Sequence, residues 1–70
     1  MSKALTFAPK VFTALCKLTG SAAEAETIMV LNFDLYARRF NYAKPTSCAR
    51  EMVMYGEKRR PELIERFIYN

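Results

Sequence analysis

The sequence predicts an all-α fold, a single domain over residues 1–70 built as a small bundle of three to four helices. Three observations favour it: proline and glycine stand where helices would begin or end, one segment opens with a capping motif, and apolar residues recur at helical spacing. The helix-bounding residues are Pro9, Gly20, Pro45, Gly56 and Pro61. A minor alternative is a ribbon-helix-helix-like fold with a strand at 27–33, a β-prone stretch.

The first helix is predicted from about Ala8 to Thr19. Pro9 suits its first turn, where a missing N–H does no harm, and Gly20 suits the left-handed residue that follows a helix. One broad face is apolar and the opposite face is polar, which is typical of a surface helix that covers a core. The apolar face comprises Val11, Phe12, Ala14, Leu15, Cys16 and Leu18.

The second helix is predicted to begin at Ala22 and to continue to about Tyr42. Ser21 and Glu24 have the spacing of a capping box, in which each side chain binds a free backbone N–H. Pro45 disfavours helical geometry at the residue before it and therefore ends the helix. The capping box favours a helix over the strand alternative.

Two further helices complete the predicted bundle. Thr46 or Ser47 is expected to cap a third helix that runs through Tyr55 and stops at Gly56. Pro61 is expected to open a fourth helix with opposed apolar and charged faces. Its apolar face comprises Leu63, Ile64, Phe67 and Ile68, and its charged face comprises Glu62, Glu65 and Arg66.

The second helix has two apolar faces, so one of them needs cover from outside the first helix. Ile28, Leu31, Leu35 and Tyr42 lie on one side, and polar strips that include Asn32 separate them from the other. That other side is either covered by the later helices or forms a protein-binding surface, since aromatic residues and Met are enriched at interfaces. Its residues are Met29, Phe33, Tyr36 and Phe40. We expect Phe33 to be buried and Tyr36 and Phe40 to face the partner.

Basic residues are concentrated in the second half of a chain whose formal net charge is +4. If they converge with the interleaved tyrosines, they would suit phosphate contacts and so a DNA or RNA partner. Neighbouring glutamates dilute the same region, which favours a solvated surface instead. The candidate nucleic-acid-binding residues are Arg38, Arg39, Lys44, Arg50, Lys58, Arg59 and Arg60.

Composition argues against catalysis and against a metal or other cofactor. The chain has no His and only two Cys, 32 positions apart, so neither a zinc cluster nor an activated nucleophile is expected. Cys16 and Cys48 are expected to be reduced thiols among apolar neighbours. The two glycines form no phosphate-binding loop.

A non-enzymatic role in the cytoplasm is the resulting expectation. The longest uncharged run, residues 27–33, is far shorter than the roughly 20 residues of a membrane span. The high apolar content of so short a chain predicts self-association as a homodimer. We expect a helical interaction protein that binds and modulates or inhibits a protein partner; the alternative is a small basic DNA- or RNA-binding regulator of phage or plasmid type.

Overall fold

The structure is a computed structural model that describes residues 3–59. Its elements are α1 (Lys3–Thr19), α2 (Ala22–Arg39) and α3 (Pro45–Tyr55). The described range contains no strand. The all-α prediction is therefore confirmed, and the strand alternative is wrong because residues 27–33 lie inside α2. The predicted fourth helix lies outside the described residues.

The core lies between the three helices, each of which contacts the other two. Every helix buries one stripe of side chains at helical spacing, so removal of apolar surface from water stabilises the bundle. Small side chains on α3 allow it to approach its neighbours closely. The buried apolar residues are Phe7, Val11 and Leu15 of α1, Ala25, Ile28, Tyr36 and Ala37 of α2, and Cys48, Ala49 and Met52 of α3.

The first helix begins five residues earlier than predicted, at Lys3 instead of Ala8. Pro9 therefore lies inside α1, where it removes one backbone hydrogen bond. The reason is tertiary: Phe7 is buried, with its ring centroid 6.2 Å from that of Phe33 and 6.1 Å from that of Tyr42. Packing of this ring keeps the preceding turn helical despite the proline.

The end of α1 matches the sequence-based prediction at Gly20 but not at Leu18. Gly20 has a φ of +73° and donates its N–H to the carbonyl of Cys16 at 2.9 Å, as the predicted left-handed ending requires. Leu18, expected on the covered face, is instead 46% exposed. It lies one residue before the end of α1, beyond the last buried residue, Leu15.

Ser21 caps α2, as predicted. Its hydroxyl accepts a hydrogen bond from the N–H of Glu24 at 3.3 Å. The N–H of Ser21 is bound by the hydroxyl of Thr19 at 3.2 Å. In a capping box the glutamate side chain binds the N–H of the N-cap residue; here the Thr19 hydroxyl binds it instead.

The second helix ends at Arg39, three residues before the predicted end at Tyr42. Asn41 takes a left-handed conformation, with φ of +53°, and its N–H donates to the carbonyl of Arg38. The N–H of Tyr42 donates to the carbonyl of Ala37. These two bonds form a Schellman ending, which Asn tolerates next best after Gly, so Asn41 ends the helix and not Pro45.

The third helix begins at Pro45 with Lys44 as its N-cap, so the prediction of a cap at Thr46 or Ser47 is wrong. Lys44 has a φ of +54° and makes no side-chain capping bond. Proline at the first helical position lacks the N–H that would otherwise need a cap, which lets the helix start there. The predicted end at Tyr55, before Gly56, is confirmed.

Two leucines of α1 provide a test of the core. Leu15 is fully buried and Leu18 is partly exposed. We expect Leu15→Ala to lower the free energy of unfolding by about 2–5 kcal/mol, because it removes buried contacts and leaves a cavity. Leu18→Ala, the same chemical change one turn later, should lower it by less than about 1 kcal/mol. Urea unfolding followed by circular dichroism measures both, and equal losses would contradict this core.

Candidate interaction surfaces

The four predicted protein-binding residues of α2 do not share one environment. Tyr36 is only 6% exposed and belongs to the core, so the expectation that it faces a partner is wrong. Met29, Phe33 and Phe40 are each partly buried and pack against the core. Phe33 is therefore less buried, and Phe40 less exposed, than the sequence suggested.

The two-faced interpretation of α2 needs a further correction. Its buried stripe runs through Ile28, Asn32 and Tyr36, so a residue assigned to a polar strip lies at the centre of the covered face. Leu35, expected on a packed face, is 62% exposed. The cause is the hydrogen bonding of Asn32, described below, which places this amide in the interior.

Met29 and Phe33 line one wall of a shallow apolar groove between α1 and α2. The opposite wall comes from the first half of α1. Leu5 on this wall is 66% exposed, and Val30 lies beside Phe33 on the α2 surface with 67% exposure. The residues that line the groove include Leu5, Ala8, Pro9, Phe12, Met29 and Phe33.

Sequence reasoning missed the α1 wall of this groove. With the first helix predicted from Ala8, Leu5 had no assigned face. The spacing of Phe7, Val11 and Leu15, four residues apart, is the signal that extends α1 towards its observed start. With that extension, Leu5 falls on the same helix surface as Phe12, seven residues later, and the groove becomes predictable.

The described members of the candidate nucleic-acid-binding set are exposed, and they do not all lie together. Arg38 and Arg39 are in the last turn of α2, whereas Lys58 lines a depression beside Ala23 and Thr27 near the start of that helix. Thr27 and Arg38 are about 16 Å apart along the helix axis. The guanidinium of Arg39 also lies 5.5 Å from the centroid of the Tyr36 ring, in a cation–π contact. Arg38 and Arg39 therefore lie apart from Lys58; Arg60 lies outside the described residues.

The position of Lys58 and Arg59 is set by a buried side-chain amide. Asn32 is 5% exposed, and its Nδ2 donates to the carbonyls of Ile28 at 2.8 Å and of Glu57 at 2.7 Å. Its Oδ1 accepts the N–H of Glu57 at 2.7 Å. The amide thus pairs with both backbone groups of Glu57, which satisfies a polar group that would otherwise be costly to bury. This pairing is called the Asn32 clamp below.

Gly56 is needed because the side-chain amide of Asn32 and the carbonyl of Met52 both lie close to its Cα. A Cβ at this position would lie 2.9 Å from Cγ of Asn32 and would overlap the carbonyl oxygen of Met52. The φ of Gly56 is −74°, so its conformation is open to any residue. Close approach, and not a left-handed conformation, therefore requires glycine here.

The carboxylate of Glu57 binds the backbone of the two basic residues that follow it. One of its oxygens, Oε1, accepts the N–H groups of Lys58 and Arg59, each at 3.0 Å. The hydrogen bond from the Arg59 amide, followed by that from Lys58, lowers the pKa of this exposed carboxyl below its usual range. The backbone N–H groups of Lys58 and Arg59 are thereby occupied.

The described residues contain no group of three or more Cys, Asp or Glu side chains that could hold a metal ion. Burial, with a smaller effect of Glu51, raises the pKa of the Cys48 thiol to about 11, and its Sγ lies 3.8 Å from Sδ of Met52. A thiol held protonated in this way is a poor nucleophile. Within residues 3–59, no helix is both long and apolar enough to cross a membrane.

Comparison of the chain with protein-family models, with curated proteins and with solved structures gives no match.

The Asn32 clamp can be tested by mutation. Asn32→Ala would leave the N–H and carbonyl of Glu57 without these partners, so we expect a loss of about 1–3 kcal/mol in the free energy of unfolding. Asp34→Ala, an exposed change two residues later on the same helix, is the control and should have little effect. Chemical unfolding gives both values. Equal stability of Asn32→Ala and the wild type would contradict the clamp.

Proposed function

We propose that this chain is a non-enzymatic interaction protein that binds and modulates or inhibits a protein partner through the apolar groove between α1 and α2. The groove itself is the main support, since it joins Met29 and Phe33 of α2 to Leu5, Pro9 and Phe12 of α1. A continuous apolar surface of this kind is a feature of protein-binding sites.

The chemistry of the groove fits a protein ligand. Phe12 and Phe33 supply flat apolar area, and Met29 adds a flexible side chain that adapts to a partner's shape. Leu5 stands at the rim and would lose most of its water contact on binding. Because Phe33 also packs on buried Phe7, one wall of the groove is anchored in the core. Binding there would need little rearrangement of that wall.

Nucleic-acid binding is the second candidate. It is favoured by the exposure of every described member of the basic set and by the ordered backbone of Lys58 and Arg59. Separation of Arg38 and Arg39 from Lys58 reduces the number of phosphates that one site would contact together. Each lost phosphate contact weakens an interaction that depends largely on charge. We therefore propose protein binding at the apolar groove in preference to nucleic-acid binding.

Capture of the partner tests the proposal. A tagged wild-type chain is used on lysate of its native host, with and without nuclease. We expect nuclease-resistant capture that Leu5→Glu abolishes, because a charge at the rim opposes burial. Met54→Glu is the matched control, since Met54 is 59% exposed on α3 and does not line the groove. Capture that disappears with nuclease would favour nucleic acid, and equal effects of the two variants would exclude this groove.

Self-association is a separate part of the proposal. Exposed apolar side chains beside the groove, Leu5 and Val30, give it a surface that a second copy would cover. Light scattering after size exclusion should show a mass that rises with concentration for the wild type and for Met54→Glu. Leu5→Glu should remain a monomer. A wild-type mass that stays monomeric from micromolar to millimolar concentration would remove the homodimer and leave the hetero-partner to the capture experiment.

A further inference from the structure

A second groove lies on the other flank of α1, between this helix and the start of α3. Its floor is apolar, and its rim carries two exposed lysines. Leu18, whose exposure the sequence did not predict, is part of the floor. The residues that matter here are Pro9, Ala14, Leu18 and Pro45 on the floor and Lys10 and Lys17 on the rim.

The lysines of α1 have a regular spacing. Lys3, Lys10 and Lys17 follow one another at intervals of seven residues, so they lie along one side of the helix. Successive members are about 10 Å apart along the axis. Charges at this interval beside an apolar strip are the arrangement by which paired helices select a partner of opposite charge.

The potential around this groove is positive for three reasons. Residues 3–19, which form α1, contain no Asp or Glu. The first turn of α3 also has no acidic residue, and its N-cap is Lys44. Finally, Pro45 and Thr46 bring the N-terminal end of α3 to the groove, and with it the positive end of the helix dipole.

We propose that the groove between α1 and α3 binds an acidic amphipathic helix of a protein partner. Apolar side chains of that helix would cover Leu18 and Ala14, and carboxylates seven residues apart would face Lys10 and Lys17. Leu18 supplies the uncovered apolar surface, and the lysines supply specificity for charge. Pro9 lines both grooves, but the other residues of this surface and the acidic chemistry of the ligand differ from those of the α1–α2 groove.

The test uses a synthetic helical peptide of roughly four turns, long enough to hold a helix in water, with leucines along one side and glutamates beside them. The same peptide with lysines in place of the glutamates is the control ligand. We expect saturable binding of the acidic peptide to the full chain. Amide chemical shifts should change at Lys10, Thr13, Lys17 and Thr46, and the lysine peptide should leave them unchanged.

Matched protein variants distinguish binding in this groove from nonspecific attraction of the acidic peptide to a positively charged protein. Lys10→Glu/Lys17→Glu should weaken binding by roughly tenfold or more. Lys58→Glu/Arg59→Glu changes the net charge by the same amount away from the groove and should retain the wild-type affinity. Equal weakening by both double variants, or shift changes centred on Leu5 and Phe33, would overturn the proposal.

Other occupants of the groove give distinct results. If residues 61–70 of this chain fill it, a synthetic peptide of those residues will compete with the acidic peptide, and Lys10→Glu/Lys17→Glu will lower the melting temperature of the free chain. If a second copy fills it, that loss will depend on protein concentration. Either result would overturn assignment of the groove to a partner's helix. An unchanged melting temperature, together with the expected shift changes, supports it.

Discussion

The side-chain amide of Asn32 joins the middle of α2 to the chain that leaves α3. Residues 40–44 connect these two helices at one end, and the Asn32 clamp connects them again beyond Gly56. The third helix is therefore joined to α2 at both of its own ends, and α1 packs against the pair. An apolar residue at position 32 would contribute burial but would leave the backbone of Glu57 without these partners. The clamp also requires Gly56, because only a residue without Cβ allows this approach.

Local signals explain how far the fold was predictable. The three helices follow from apolar spacing, and the boundary at Gly20 and Ser21 follows from rules that involve only neighbouring residues. The start of α1 was predicted too late, because burial of Phe7 outweighs the helix-breaking tendency of Pro9. This burial is a tertiary effect. The buried role of Asn32 depends on a backbone 25 residues further along the chain. No window of local sequence contains that information.

The same distinction applies to the candidate surfaces. Met29 and Phe33 were identifiable because they recur on one side of a single helix. Prediction of the opposite wall would have needed the correct start of α1. The prediction that Tyr36 faces a partner was wrong because neighbouring elements cover its side chain. Whether the basic residues converge could not be predicted from the sequence, because Arg38 and Lys58 belong to different segments of the fold. Lys58 lies beside Thr27, which is about 16 Å from Arg38 along the axis of α2.

Pro9 has a consequence for recognition at the groove between α1 and α2. The turn that precedes it lacks one hydrogen bond to the rest of α1, and Phe7 packs it against Phe33 and Tyr42. Such a turn is expected to open locally at a lower free energy than the core around Leu15. If the groove binds a partner as proposed, Leu5 would be presented to it only while this turn is closed, and the apparent association constant would equal the intrinsic constant multiplied by the closed fraction. Occupancy of the groove and ordering of the first turn of α1 would then be one linked equilibrium.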